Sequence, residues 1–228
     1  MTRRSREPLL RPLQGRYLAS LRPPRDPLRL DIEQRARAAG WRLVAPEVAR
    51  LLEGLAARDP APRIVEVGCG VGYATLHLAR GAPEGSVVAI DADAEALALA
   101  REHLERGGVL GRVELRLGSG PAALDRLTAP IDLAVIDAAT HEPRRLLDLL
   151  LPLLRVGGTI AVTGVLADGR VGDPSLRDAD DVAARELERF NPYLSIHPQV
   201  TAVLLPLGDG VGLGVKRRQT IRELGGPF

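Results

Sequence analysis

Ile64-Val65-Glu66-Val67-Gly68-Cys69-Gly70-Val71-Gly72-Tyr73 decides the reading of this chain. Ile64 to Val67 read as a buried parallel strand, and Gly68, Gly70 and Gly72 as a turn. The apolar-periodic run from Tyr73 to Arg80 reads as a helix. A strand, a glycine turn and a helix N-terminus make a site for a nucleotide-like ligand, because glycines let backbone approach where a Cβ would clash. A dinucleotide fingerprint needs glycine at its first, third and sixth positions, here 68, 70 and 73, and position 73 is Tyr73. No Gly-Lys-Ser/Thr is present, so the turn is not a phosphate-cradling loop. Instead Glu66 stands two residues before the first glycine, where an acid suits a cationic amine better than a pyrophosphate. A second apolar strand, Val87 to Ile90, ends in Asp91, 25 residues after Glu66. An acid at that place pairs with ribose hydroxyls. The turn with both acids is a much stronger signal than the turn alone.

Alternation continues on the C-terminal side. Strand 86–91 is followed by helix 94–106 with Asp93 as its N-cap, and strand 112–117 ends at Gly118-Ser119. A short helix, 121–127, leads to strand 131–137. Helix 142–154 then ends at a Gly157-Gly158 turn into strand 159–163. Such alternation implies a parallel sheet with helices on both faces. After a loop over 165–175 come a helix from Leu176 to Phe190 and two strands, 196–207 and 211–217. Gly208-Asp209-Gly210 joins them as a hairpin. On the N-terminal side, residues 1–25 are rich in Arg and Pro and read as an arm, with a short helix around 13–21. Asp26 caps a helix that Gly40 ends, and Pro46 opens another. The expected fold is therefore α/β: a Rossmann-like, seven-stranded, mostly parallel sheet with a C-terminal antiparallel hairpin and an N-terminal helical arm. One domain is expected over 1–228, with the arm and lead-in at 1–60, the core at 61–217 and a tail at 218–228.

Composition narrows the function. The chain has 228 residues and is 45% hydrophobic but only 3% aromatic, so its core is built of Leu, Val and Ala. A formal net charge of +2 gives no argument for a nucleic-acid partner. Of 31 basic residues only Lys216 is lysine, which almost excludes a catalytic lysine. Cys69 is the single cysteine, so internal disulfides and multi-cysteine metal sites are ruled out. No run of 18 apolar residues appears, and Met1-Thr2-Arg3-Arg4-Ser5-Arg6 has no apolar segment behind it. A soluble, cytoplasmic protein with no membrane partner is expected.

These elements and motifs together resemble the class I S-adenosylmethionine-dependent methyltransferases. Within them the chain is similar to the small O-methyltransferases of the catechol and caffeoyl-coenzyme A type. The resemblance runs from about Tyr17 to Arg217. It is carried by Val44-Ala45-Pro46-Glu47, the glycine segment, Ile90-Asp91 and Arg112-Val113-Glu114-Leu115. Val135-Ile136-Asp137, Leu153-Leu154-Arg155-Val156-Gly157-Gly158, Val165-Leu166 with Gly169-Arg170-Val171, and Leu205-Pro206-Leu207-Gly208-Asp209-Gly210 complete it. The resemblance implies that Glu66 and the backbone of Gly68, Gly70 and Gly72 hold the methionine end of S-adenosylmethionine. Asp91 takes the ribose hydroxyls, Ala92 lies beside the adenine, and Gly118-Ser119 meets the adenine amino group. Val44 and Tyr73 line the pocket. The family often has Ser at 74; here it is Ala74, and Thr75 is a substitute for the contact with the cofactor carboxylate.

The chain departs from the family at the catalytic positions. Members bind a divalent cation with the Asp at 137 plus an Asp-Asn pair that falls here on Thr163-Gly164, and their catalytic lysine falls on Thr140. Mg²⁺ or Ca²⁺ wants about six oxygen ligands and usually more than one carboxylate, so no divalent metal is expected, although Asp168 and Asp173 follow in the next loop. A phenol of pKa ~10 costs roughly 4 kcal/mol to ionise at pH 7, which metal and lysine normally offset. An acidic or softer acceptor, another base, or lost catalysis would each answer this. His141 is the candidate base; Asp137 is a base or a residue that orients the cofactor. His77 reads as packing or surface, and His103 and His197 have no supporting context. The arginines of 1–42 read as a solvated face or a dimer interface. The expected function is methyl transfer to a small-molecule acceptor, at oxygen, by a homodimer. The rival is a non-catalytic protein of the same fold that holds the cofactor.

Overall fold

The computed structural model describes residues 11–218 except 23, 25, 129, 138–141 and 179. His141 and Thr140 lie outside the described residues. Three helices come first: α1 (Pro12–Ser20), α2 (Pro27–Ala39) and α3 (Pro46–Ala56). Asp26 caps α2 by accepting from Arg29 N, and Gly40 ends it at φ 75°. Then β1 (Arg63–Val67), α4 (Tyr73–Gly81), β2 (Ser86–Asp91), α5 (Ala94–Arg106), β3 (Val113–Leu117) and α6 (Gly120–Leu124) alternate. The remainder is β4 (Ile131–Asp137), α7 (Pro143–Leu153), β5 (Leu154–Thr163), α8 (Val182–Ser195), β6 (Val200–Leu205) and β7 (Val211–Lys216).

The seven strands lie in the order β3-β2-β1-β4-β5-β7-β6. All neighbours are parallel up to β5; β7 then runs antiparallel to both β5 and β6, as the hairpin signal requires. Alternate residues feed two cores. Val65, Val67, Ile90, Ile136 and Val162 pack toward α6, α7 and α8. Ile64, Ala89, Leu133, Val135 and Ala161 pack toward α3, α4 and α5. This period of two across a doubly covered sheet explains why the central strands are apolar on both faces. The strand order reverses at β1, which lies between β2 and β4. In open α/β sheets that reversal opens a crevice beyond the C-terminal strand ends, where ligands bind.

Several boundaries differ from the sequence reading; β6, for example, is Val200–Leu205 rather than 196–207. Strand β5 begins at Leu154, not at 159, because Gly157 (φ 78°) makes an irregularity inside the strand instead of a turn before it. The register to β4 shifts there, from Ile131↔Leu154 to Leu133↔Thr159. Helix α8 starts at Val182 rather than near 176, since the Asp181 carboxylate accepts from Ala184 N at 3.0 Å and caps it. It runs on through Pro192, held by the buried face of Leu187, Phe190, Asn191 and Leu194.

Candidate functional site

Glu66, Asp91, Asp137 and Thr163 all stand at the C-terminal edge of the sheet, on β1, β2, β4 and β5. The pairs Val67↔Ile90, Val67↔Ile136 and Asp137↔Thr163 bring these ends level. Glu66, Val135, Asp137 and Thr163 share the face covered by α3 and α4. The segment between α2 and α3 closes over them. Arg42, Leu43 and Val44 line a narrow cavity of about 30 Å³ together with Glu66, Gly68, Cys69, Gly70, Tyr73, Asp137 and Thr163. A second cavity of about 50 Å³ continues past Arg42, Asp137 and Thr163 to Gly164 and Asp209. Beyond the enclosed part the groove is open: a Cβ built on Gly70 (φ 51°) would meet nothing within 4 Å.

Glu66 is buried, and its Oε2 accepts from the Thr75 hydroxyl at 2.5 Å. Burial pushes its carboxyl up to about 8. The Thr75 bond opposes this, and the nearby charges of Asp137 and Asp91 add to it. Thr75 therefore corrects the expectation made for it. It is fully buried, with its hydroxyl spent on Glu66, so it positions the acid and does not line the cavity. Asp91 accepts from Gly70 N (2.7 Å) through one carboxylate oxygen and from Asp93 N (3.0 Å) through the other. It thus braces the turn, and an ionised carboxylate keeps further acceptor sites for hydroxyl groups. Gly68 N and Cys69 N donate to Ile90 O, and Gly118 N donates to Asp91 O at 2.9 Å. Ala92, Gly118 and Ser119 consequently sit together beyond β2 and β3, beside Asp91 but outside the two enclosed cavities. Gly72, in the left-handed region, is the N-cap of α4.

Two of the described histidines take structural roles. His103 is buried, and its Nδ1 bonds Val71 O at 2.8 Å, propping the glycine turn from α5. His77 is buried against Glu53 at 2.7 Å and meets the Tyr73 ring edge-on. Tyr73 donates its own hydroxyl to Glu33 at 2.7 Å.

Two residues enter the site from loops that sequence reading left aside. Arg42 was placed on a solvated face or a dimer interface. Its side chain is exposed, as on a solvated face, and it pairs across the loops with Asp168, with Nη1 2.7 Å from Oδ2, while its Nη2 lies 3.5 Å from Asp209 Oδ2. Asp209, read only as a turn residue, accepts from Asp168 N at 2.7 Å. Burial raises its pKa, and the Asp168 charge adds to that against the backbone N–H bonds and Arg42. Asp173 Oδ1 accepts from both the Ser175 N–H and the Ser175 hydroxyl, within its own loop. Among the described residues no group of three or more His, Cys, Asp or Glu side chains is placed to hold a metal ion. At the place the resemblance gives to a metal, Thr163 offers a neutral hydroxyl and Gly164 no side chain, while Asp209 Oδ2 and Asp137 Oδ1 lie 3.7 and 3.8 Å from where a Cβ on Gly164 would stand. No helix among the described residues is long and apolar enough to cross a membrane.

Residues 33–217 match the family described as O-methyltransferase. A Mycobacterium tuberculosis protein named as a probable O-methyltransferase is 37% identical over 187 residues, covering 80% of this chain and 82% of its own. A solved O-methyltransferase of Bacillus cereus in complex with S-adenosylhomocysteine superposes with a TM-score of 0.77 at 28% identity, covering 89% of this chain and 96% of its own. The O-methyltransferase TomG of Streptomyces achromogenes, solved with S-adenosylmethionine, gives the same score and identity over 89% of this chain and 95% of its own.

Proposed function

The chain belongs to the O-methyltransferase family, and from that premise we propose that it moves a methyl group from S-adenosylmethionine to an oxygen of a small molecule, without a divalent metal. The observation that carries this reading is the set formed by Glu66, the glycine turn and Asp91 at the reversal of strand order. A buried carboxyl on the cavity wall suits the cationic amine of the methionine moiety. Asp91 offers acceptors to the ribose, and Gly70 leaves space for a ligand to lie on the backbone. When bound, S-adenosylmethionine supplies a methyl group activated by its sulfonium. Val44, Tyr73 and Asp137 shape the cavity in which an acceptor would approach it. The named relatives weigh toward turnover rather than binding alone.

Calorimetry with S-adenosylhomocysteine tests the reading: micromolar-class binding is expected and NAD should give no signal. Binding of NAD with no response to S-adenosylhomocysteine would overturn it. Asp91→Ala should weaken S-adenosylhomocysteine by about 1–3 kcal/mol, because a charged hydrogen-bond partner is lost. Loss of the brace on Gly70 N pushes the effect toward the upper end.

The protein is further proposed to act as a homodimer assembled partly through α1. That helix has no buried residue, and Leu13, Tyr17, Leu18 and Leu21 are all exposed on it or at its end. An apolar face of this kind is the usual mark of an interface. Light scattering should return twice the chain mass, and a monomer at tens of micromolar would contradict the proposal.

A further inference from the structure

We propose that Arg42 is the cationic group of the acceptor site. It would bind an acceptor whose oxygen is already an anion at neutral pH: a carboxylate or an electron-poor phenolate. The inference rests on the methyl-transfer reading above and adds the substrate class to it.

The position of Arg42 is the first support. Arg42, Asp137 and Thr163 line both enclosed cavities, the one bounded by Glu66 and Gly68 and the one bounded by Gly164 and Asp209. Among the described residues Arg42 is the single cation in either lining, 56% exposed at the rim and beside the carboxyls of Glu66, Asp137 and Asp209. A Cβ built on Gly164 would stand 3.7 Å from Asp209 Oδ2 and 3.8 Å from Asp137 Oδ1. The two carboxylates thus flank the place where relatives of the resembled type carry a metal ligand, and the guanidinium lies on the Asp209 side of it.

The scaffold behind Arg42 is the second support. Ala167 and Asp168 adopt left-handed backbone at φ 49° and 56°, although neither is glycine. Such residues are strained and persist only where their surroundings over-determine them. Here Asp209 does so, taking Asp168 N on its carboxylate at 2.7 Å and Leu166 N on its carbonyl at 3.0 Å. The result holds the Asp168 carboxylate against Arg42 Nη1 at 2.7 Å. These ion pairs orient the planar fork while leaving N–H donors for a ligand, since a guanidinium has five.

Charge then selects the acceptor. A single positive charge shared with two carboxylates acidifies a bound hydroxyl far less than a divalent ion does. An ordinary phenol would still cost roughly 4 kcal/mol to ionise at pH 7. An acceptor that arrives ionised avoids that cost, and a carboxylate or phenolate matches the fork directly. In the transfer, the acceptor oxygen forms the new O–C bond with its own electron pair. The methyl C–S bond breaks with its pair left on sulfur, giving a neutral thioether. No proton remains to be moved, so neither a lysine nor a metal is needed.

The test uses 4-nitrophenol, whose phenolate is coloured, added to the full-length protein saturated with S-adenosylhomocysteine in the presence of EDTA. The wild type should bind the phenolate and lower the apparent pKa of the bound phenol. Arg42→Met should weaken phenolate binding roughly tenfold or more and abolish that pKa displacement, while S-adenosylhomocysteine affinity stays within about threefold. Arg42→Lys should restore part of both. With S-adenosylmethionine present, the variant's KM for the phenolate should rise more than its kcat falls. The assignment is overturned if the wild type binds no phenolate, if Arg42→Met behaves as wild type, or if catechol with Mg²⁺ is the preferred acceptor. Failure of S-adenosylhomocysteine to bind defeats the methyl-transfer reading itself; its binding without any dependence of the phenolate on Arg42 defeats this assignment alone.

Discussion

Affinity for S-adenosylhomocysteine is expected to climb by up to about tenfold per pH unit between roughly pH 6 and pH 8, and to release a proton as it does so. Glu66 is the cause. Its carboxyl is buried and pushed up to about 8, so near neutral pH the free protein holds it mostly protonated. A ligand amine bearing a positive charge favours the ionised form and must displace the proton below that value. The rise should stop near pH 8, because above that value the free protein already holds Glu66 ionised and no proton has to be displaced. Glu66→Gln keeps the shape and the contact with Thr75 and should flatten the profile. The same group acts on stability with a definite sign. The folded chain keeps a proton that the unfolded chain, with an ordinary carboxyl of 4.5, gives up. Glu66 therefore costs nothing below about pH 4.5, costs progressively more up to about pH 8, and adds nothing further above it. Glu66→Gln should melt higher than wild type at pH 8 and equal to it at pH 4. Calorimetry in two buffers of different ionisation heat measures the proton. Affinity that is flat with pH and releases none would refute the account.

The parts of the fold that were legible in the sequence are those fixed by local chemistry. Strands 86–91 and 131–137 and helix 94–106 coincide with β2, β4 and α5, since alternation, periodicity and the Asp93 cap act within a few residues. Gly157-Gly158 misled because a glycine pair looks the same before a strand as inside one; only the pairing with β4 distinguishes them. In the site, Glu66 and Asp91 were legible because each sits at a strand end marked by its own neighbours. Thr75 was recognised, but its direction depends on how α4 packs on β1, and it turned inward to Glu66. Arg42 was not legible at all. Its partner Asp168 lies 126 positions away, and nothing local to 38–46 separates a solvated arginine without a partner from an exposed one that pairs across loops at a cavity rim.

Restoring the Asp-Asn pair of the resembled family gives the most demanding prediction. Thr163→Asp with Gly164→Asn should create or strengthen binding of Mn²⁺ or Mg²⁺. The space allows it: the new Cβ at 164 would be in ordinary contact, 3.7 Å from Asp209 Oδ2 and 3.8 Å from Asp137 Oδ1. Gly164 sits at φ 74°, a conformation that Asn tolerates better than most residues. Thr163 is buried and pairs in register with Asp137, so a carboxylate there adds a third acid beside Asp137 and Asp209. With no metal this should destabilise the fold by about 1–3 kcal/mol, since a buried charge lacks a partner and Arg42 is held by Asp168. With metal the same carboxylates become ligands, and an ion at a hundred times its Kd returns about 2.7 kcal/mol. The double variant should therefore melt below wild type in EDTA and recover with Mn²⁺, whereas wild type should move with neither. Adding Arg42→Met should tighten the metal further, because a competing cation is gone. The account fails if Mn²⁺ stabilises wild type as much as the variant. It fails equally if a chelator abolishes the methyl transfer of the unmodified protein and magnesium restores it.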